Sequence, residues 1–277
     1  GRQSGSTYRE TFFPDWGETA ARKVIRAAWQ EAKRNLPRHY KPKLQVLWRK
    51  IEACEDQAGK YLGSAETYSS ELNGNGHIVE ICVNWMTRMF DHAFGLVFDF
   101  MSESAGLGAS DSATEESAKL IAEILNDLLV TVVGTTFIHE IAHCKHAEWI
   151  KQAEDNKGNR AKMGPWVAVY EKAQRMSDSA KYMANFDERV CRRVEMNYLQ
   201  KNEKRIQDNV LRDLITVFSN TGDKFTHAQA VKLSTRIYTY FTRELQGNKK
   251  AQAHFNNVNN NIQNMLVIPL NVQGGGK

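Results

Sequence analysis

Residues 135–146, Thr135-Thr136-Phe137-Ile138-His139-Glu140-Ile141-Ala142-His143-Cys144-Lys145-His146, decide how this chain is read. They close a strongly apolar stretch, Leu120 to Ile141, whose helical spacing begins at Ala118 and is interrupted at Gly134 and two threonines just before Phe137. A helix turns about 100° and rises about 1.5 Å per residue, so His139 and His143 lie on one face, one turn apart, where two imidazoles can converge on a single ion. Thr136, Phe137, Ile138, Ile141, Ala142 and Cys144 are uncharged, as a helix inside the protein requires. Imidazole nitrogen suits Zn²⁺, and Glu140 lies close enough to that face to reach a water on the ion. There a carboxylate can take a proton and later deliver one to a leaving amine.

A catalytic zinc site needs a third protein ligand. His146 shares the histidine face, but in a continuous helix it lies about 10 Å along the axis from His139, too far for both to hold one ion. It is therefore expected on the helix surface or in the layer outside the ligands. Downstream, residues 185–195 (Asn-Phe-Asp-Glu-Arg-Val-Cys-Arg-Arg-Val-Glu) place acids on a second helix. Asp187 lies nearest the stripe of Met183, Val190, Val194 and Tyr198, where an unpaired carboxylate is costly and a metal would be a good partner. Glu195, Glu148 and Glu171 are further alternatives.

With the His139–His143 pair and Glu140, the chain resembles the zincin superfamily of zinc metallopeptidases, and its acidic second helix is similar to the gluzincin branch. That resemblance implies a helix-rich α+β fold, zincin-like, with a small mixed sheet, an active-site helix and an edge strand that pairs with extended substrate. The gluzincin pattern has Glu, a small residue three later and Asp four later. Glu188 and Cys191 match, whereas Arg192 stands in the Asp position, and Lys145 stands where an apolar residue usually follows the second histidine. The metzincin pattern turns the chain with a glycine, but His146 occupies that place and no glycine follows until Gly158. The resemblance thus implies His139, His143 and Glu188 as metal ligands, Glu140 as the catalytic base, and a protein or peptide substrate.

Around this centre, helices are expected over 15–35, 86–101, 166–183, 186–201, 206–218 and 227–245. Thr67-Tyr68, the Asn73-Gly74-Asn75-Gly76 turn and the β-branched run His77–Val83 read as a β-hairpin, with His77–Val83 as the substrate-pairing edge. Leu44–Trp48 fits either a strand or the start of a helix. Ser102–Ser117 is small and polar and is expected to be a mobile surface loop. The division expected is a catalytic domain over 1–203 and a helical extension over 204–277, with an Asn/Gln-rich tail and a short strand-like run at Met265–Val272. Tyr170, Tyr182 and Tyr198 could each serve an oxyanion, though spacing assigns none of them.

The 277 residues carry a formal charge of +5, and residues 1–50 hold 12 Lys/Arg against 4 Asp/Glu. Arg22, Lys23, Arg26, Lys33 and Arg34 fall opposite Ala21, Ile25, Ala28, Trp29 and Ala32, which reads as a solvated helix face rather than a nucleic-acid surface. Glu123 and Asp127 interrupt the longest apolar stretch, so no membrane insertion is expected. The four cysteines are far apart, without a CxxC pair, and read as reduced thiols, with Cys144 and Cys191 as small buried side chains. No leader pattern opens the sequence, so a cytoplasmic location is expected, including delivery into another cell as an effector protease. The rival from another class is a regulatory protein that keeps a zinc site as scaffold. An intact Glu140 argues against it, since a structural site has no need of a base.

Overall fold

The computed structural model describes residues 18–51, 62–82, 90, 94, 112–220, 228 and 230–235. The fold is helix-rich α+β with a small mixed sheet. In chain order come α1 (Glu18–Asn35), β1 (Gln45–Ile51), β2 (Gly63–Glu66), β3 (Gly76–Cys82), α2 (Ser112–Asp155), α3 (Val167–Ala173) and α4 (Ser179–Asn220).

Helix α2 has 44 residues, so it is about 66 Å long, and α1, α4, β2 and β3 pack against it. On one side lies α1, whose Ala21, Val24, Ile25, Ala28 and Ala32 are buried while Arg22, Lys23, Arg26, Lys33 and Arg34 face out. The small residues bring the two helices close, and Trp29 meets Phe137 edge-on with centroids 5.2 Å apart. Burying Phe137 and Ile25 completely contributes about 1.5–3 kcal/mol each. The helix runs through Gly134 unbroken, since a lone glycine costs only about 1 kcal/mol in a helix held by packing. It starts at Ser112, so Ser112–Ser117 is helical rather than loop; the rest of that expected loop, residues 102–111, lies outside the described residues.

The segment Ile121–Asp155 is by length and composition alone apolar enough to cross a membrane, so Glu123 and Asp127 do not exclude that on their own. Yet 72% of its most apolar window is buried within the protein.

On another side lies α4, a single 42-residue helix. The sequence suggested a break between Lys201 and Ile206, but Asn202-Glu203-Lys204-Arg205 contains no glycine or proline and the helix passes through it and through residue 203. Conversely, the expected helix 166–183 is interrupted, α3 ending at Ala173 and α4 beginning at Ser179. Phe90 and Phe94 are helical, buried and stacked at 5.8 Å. The remainder of the helix expected there and the stretch 236–277 lie outside the described residues.

The sheet has the order β1-β3-β2. β1 runs parallel to β3, from Gln45↔Gly76 to Ile51↔Cys82, and β2 runs antiparallel to it, from Gly63↔Ile81 to Glu66↔Ile78. The hairpin expectation is correct for β2 and β3, with left-handed Asn73 and Gly74 (φ 53° and 73°) turning the chain between them. The edge-strand expectation is not. β3 is the central strand, its His77, Ile78, Val79 and Ile81 all buried, and its backbone groups are taken by strands on both sides. A substrate cannot add to it.

Candidate functional site

The site forms where α2 and α4 run antiparallel, so that His139 meets Glu195 and, a turn later, His143 meets Asp187. His139 Nδ1 lies 2.7 Å from Glu195 Oε2, and His143 Nδ1 lies 2.7 Å from Asp187 Oδ2. A carboxylate only accepts, so each Nδ1 carries the proton and donates it. In the neutral rings the two Nε2 atoms then present lone pairs, and they face each other at 3.1 Å. The Glu188 carboxylate completes the triangle, Oε1 at 3.4 Å from His139 Nε2 and Oε2 at 3.1 Å from His143 Nε2.

Three electron-rich atoms from three residues thus converge on one point. Such a contact is repulsive unless a cation or shared protons sit among them. Neighbouring ligands of a zinc ion bound at about 2.0–2.1 Å stand about 3.3 Å apart, and the observed 3.1–3.4 Å matches that spacing. His139, His143 and Glu188 therefore fit a metal ion. The imidazole orientation is set by the carboxylates on the opposite nitrogens, the usual support for a ligating histidine.

The electrostatics point the same way. Burial pulls His139 and His143 toward the neutral form. Glu188 and Glu195 on the first, Asp187 and Glu188 on the second, override it, so His139 rises well above the usual range and His143 to about 9. Burial likewise opposes ionisation of Asp187 and Glu188. Bonds from His143 and His146 nevertheless hold Asp187 down at about 2, and bonds from His139 and His143 hold Glu188 well below the carboxylate range. Glu188 also pairs with Arg192 at 3.0 Å and is 36% exposed, so the site opens to solvent on its side.

Glu140 is different. It is buried, and among the described residues no protein group hydrogen-bonds its carboxylate. Burial raises its pKa, the two histidines partly offset this, and Glu188 and Glu195 add to it. A buried carboxylate with no hydrogen-bond partner among the described residues, beside two imidazoles, is placed to exchange a proton with something that enters the site.

Of the residues anticipated from sequence, His139, Glu140, His143 and Glu188 come together here. Asp187 and Glu195, weighed as alternative ligands, bind the outer nitrogens of the histidines instead, which supplies the orienting carboxylates that Arg192 could not. Glu148 holds the sheet and Glu171 pairs with Arg160, both outside the site. Tyr198 donates to Glu31, Tyr170 packs with Ala153 and Met163, and Tyr182 lies beside Lys172. None of these phenols serves the site. Cys144 and Cys191 are free, buried thiols, and burial pushes both pKa values up. Lys145 lies along Trp149 with its Nζ 3.4 Å from Glu148, which explains how a charge is tolerated beside the motif. Sequence reasoning missed Tyr40, which touches His146, because nothing local marks it.

Comparison with protein-family models, with curated proteins and with solved structures finds no match for this chain.

Proposed function

We propose that this chain is a zinc-dependent metallopeptidase that hydrolyses protein or peptide amide bonds, with Glu140 as general base. The observation that carries the reading is the convergence of His139 Nε2, His143 Nε2 and a Glu188 oxygen, with both Nδ1 positions pinned by carboxylates. A bound zinc ion would polarise the scissile carbonyl and acidify a water. His139, His143 and Glu188 would hold it, while Glu195 and Asp187 keep the imidazoles in their Nδ1–H form. Glu140, raised by burial and without a hydrogen-bond partner among the described residues, accepts the proton of the attacking water and returns one to the amine. A purely structural site would leave that carboxylate without a purpose. The strand-pairing edge this reading needs is offered by β2. It has a strand on one side only among the described residues, and its Gly63 abuts Thr136, one turn before Glu140.

The test is zinc content after dialysis together with cleavage of a quenched-fluorescence peptide library, for the wild type and Glu140→Gln. Both should hold about one zinc per chain, with turnover in the wild type alone. Zinc well below that, or equal turnover in the two proteins, overturns the proposal.

A further inference from the structure

His146 has no place among the ligands, yet it is fully buried in a helix whose neighbouring turns carry them. Its Nδ1 lies 2.6 Å from Asp187 Oδ1, while the other oxygen of the same carboxylate holds His143. Since Asp187 accepts at both oxygens, Nδ1 of His146 is protonated. In the neutral ring its Nε2 is then a lone pair, and the hydroxyl of Tyr40 stands 3.2 Å away to donate to it. Tyr40 is buried in the short 3₁₀ turn Arg38–Tyr40 that precedes β1. Burial, with Cys191 and Asp187 nearby, raises its pKa to about 12, so it keeps the proton it must donate. The Cys191 thiol, 3.3 Å from Asp187 Oδ1, adds a second donor to that oxygen.

The direction of every bond in this chain is therefore fixed: Tyr40 O–H to His146 Nε2, His146 Nδ1–H to Asp187, and His143 Nδ1–H to Asp187 from the other side. Aromatic rings lock the His146 plane, with Trp166 stacked at 4.3 Å and Trp149 at 5.5 Å. A flip of the buried His146 ring would break its bonds to both Asp187 and Tyr40.

Resting on the metal-centre reading above, we propose that Tyr40 and His146 are positioning residues that hold Asp187, and through it His143, in the one tautomer and orientation that presents His143 Nε2 to the metal. An aspartate alone can swing about its side-chain torsions. One whose second oxygen is tied to a clamped imidazole cannot. The relay also anchors the α1–β1 connection to the metal helix, so that the site is completed only when that connection is docked.

The test uses ¹⁵N-histidine NMR with and without zinc, and zinc affinity by chelator competition. Wild-type protein should show His143 and His146 protonated at Nδ1 when zinc is bound. Tyr40→Phe keeps the ring packing and removes only the hydroxyl. It should leave His146 Nε2 without its donor, seen as a shift of that ¹⁵N resonance, and weaken zinc binding about 10-fold. His146→Asn, whose amide N–H replaces Nδ1–H, should bind zinc within about threefold of wild type, and His146→Leu about 10-fold more weakly. Should His146→Leu fail to fold by circular dichroism, the Tyr40→Phe arm decides alone. Wild-type protein that binds zinc with His146 protonated on Nε2, or a Tyr40→Phe protein with unchanged zinc affinity and an unshifted His146 Nε2 resonance, overturns the relay. Protein with these tautomers that binds no zinc overturns the metallopeptidase reading instead.

Discussion

Asp187 and Glu188, adjacent in sequence, grip opposite edges of one imidazole. Asp187 Oδ2 lies 2.7 Å from His143 Nδ1, and Glu188 Oε2 lies 3.1 Å from its Nε2. Successive helical side chains diverge by about 100°, so α4 straddles the ring, with Asp187 on its Nδ1 edge and Glu188 on the Nε2 edge that would face a metal. The two acids therefore have different chemistry despite equal charge.

That difference predicts an order of effects on zinc. In the proposed metal site Glu188→Ala would remove a ligand and should weaken binding more than Asp187→Asn, which should cost about 10-fold by loosening His143. Glu195→Gln should resemble Asp187→Asn, through His139. Glu171→Ala, remote from the site, should change nothing. Chelator competition on the four proteins checks this, and a larger loss at Asp187 than at Glu188 would exchange their roles.

Zinc uptake should also release protons. His143 is raised to about 9 without metal, so it is largely protonated at pH 7, and a ligating nitrogen must be free. Calorimetric titration with zinc in buffers of different ionisation enthalpy should show proton release at pH 7 that declines toward pH 9, with affinity rising over the same range. In the metal-free protein the sign is the reverse. The raised His143 contributes stability below its ordinary value of 6.5, and that contribution is lost as pH rises through about 9. Uptake without proton release at pH 7 would contradict the assignment.

The histidine pair is legible in the sequence because its geometry closes within one helical turn. Glu188 is legible only through a spacing pattern, and the roles of Asp187 and Glu195 are not legible at all. Which ring nitrogen a carboxylate meets depends on how α4 lies along α2, a relation between residues 44 to 56 apart. The burial of His146 is hidden for the same reason, since Tyr40 and Trp166 reach it from two other segments to join Trp149 of its own helix. The hairpin of β2 and β3 is local and readable. The parallel pairing of β1 with β3, which moves β3 from edge to centre, is not local, and no turn residue announces it.

Gly63 tests how β2 docks on the motif helix. A Cβ there would lie 2.6 Å from Thr136 Cγ2 and 3.1 Å from the Glu80 carbonyl oxygen. Gly63→Ala should destabilise by about 1–3 kcal/mol through overpacking. Thr136→Ser removes that methyl while keeping a hydroxyl to bond the Val132 carbonyl, as Thr136 does at 3.1 Å. The double variant should recover part of the loss in denaturant unfolding. Strictly additive effects would mean the two residues do not meet.

Glu148 joins the motif helix to the sheet, and its protonation should loosen that joint. Its carboxylate accepts the backbone N–H groups of Lys43 and Leu44, at 3.0 and 2.9 Å, just before β1. Tyr68 N–H donates to His77 Nδ1 at 2.9 Å, which leaves the His77 proton on Nε2, 3.2 Å from Glu148. Burial opposes ionisation, but His77, the two backbone donors and Lys145 bring Glu148 down to about 2 from 4.5. A depressed carboxylate stabilises the fold fully above about pH 4.5, and that contribution fades as pH falls toward 2. Glu148→Gln turns an amide N–H toward donors and should cost about 2–3 kcal/mol at pH 7. Its deficit relative to wild type should shrink between pH 4.5 and 3, measured by urea unfolding at each pH. A deficit unchanged over that interval would show that the Glu148 charge does not hold the sheet to the helix.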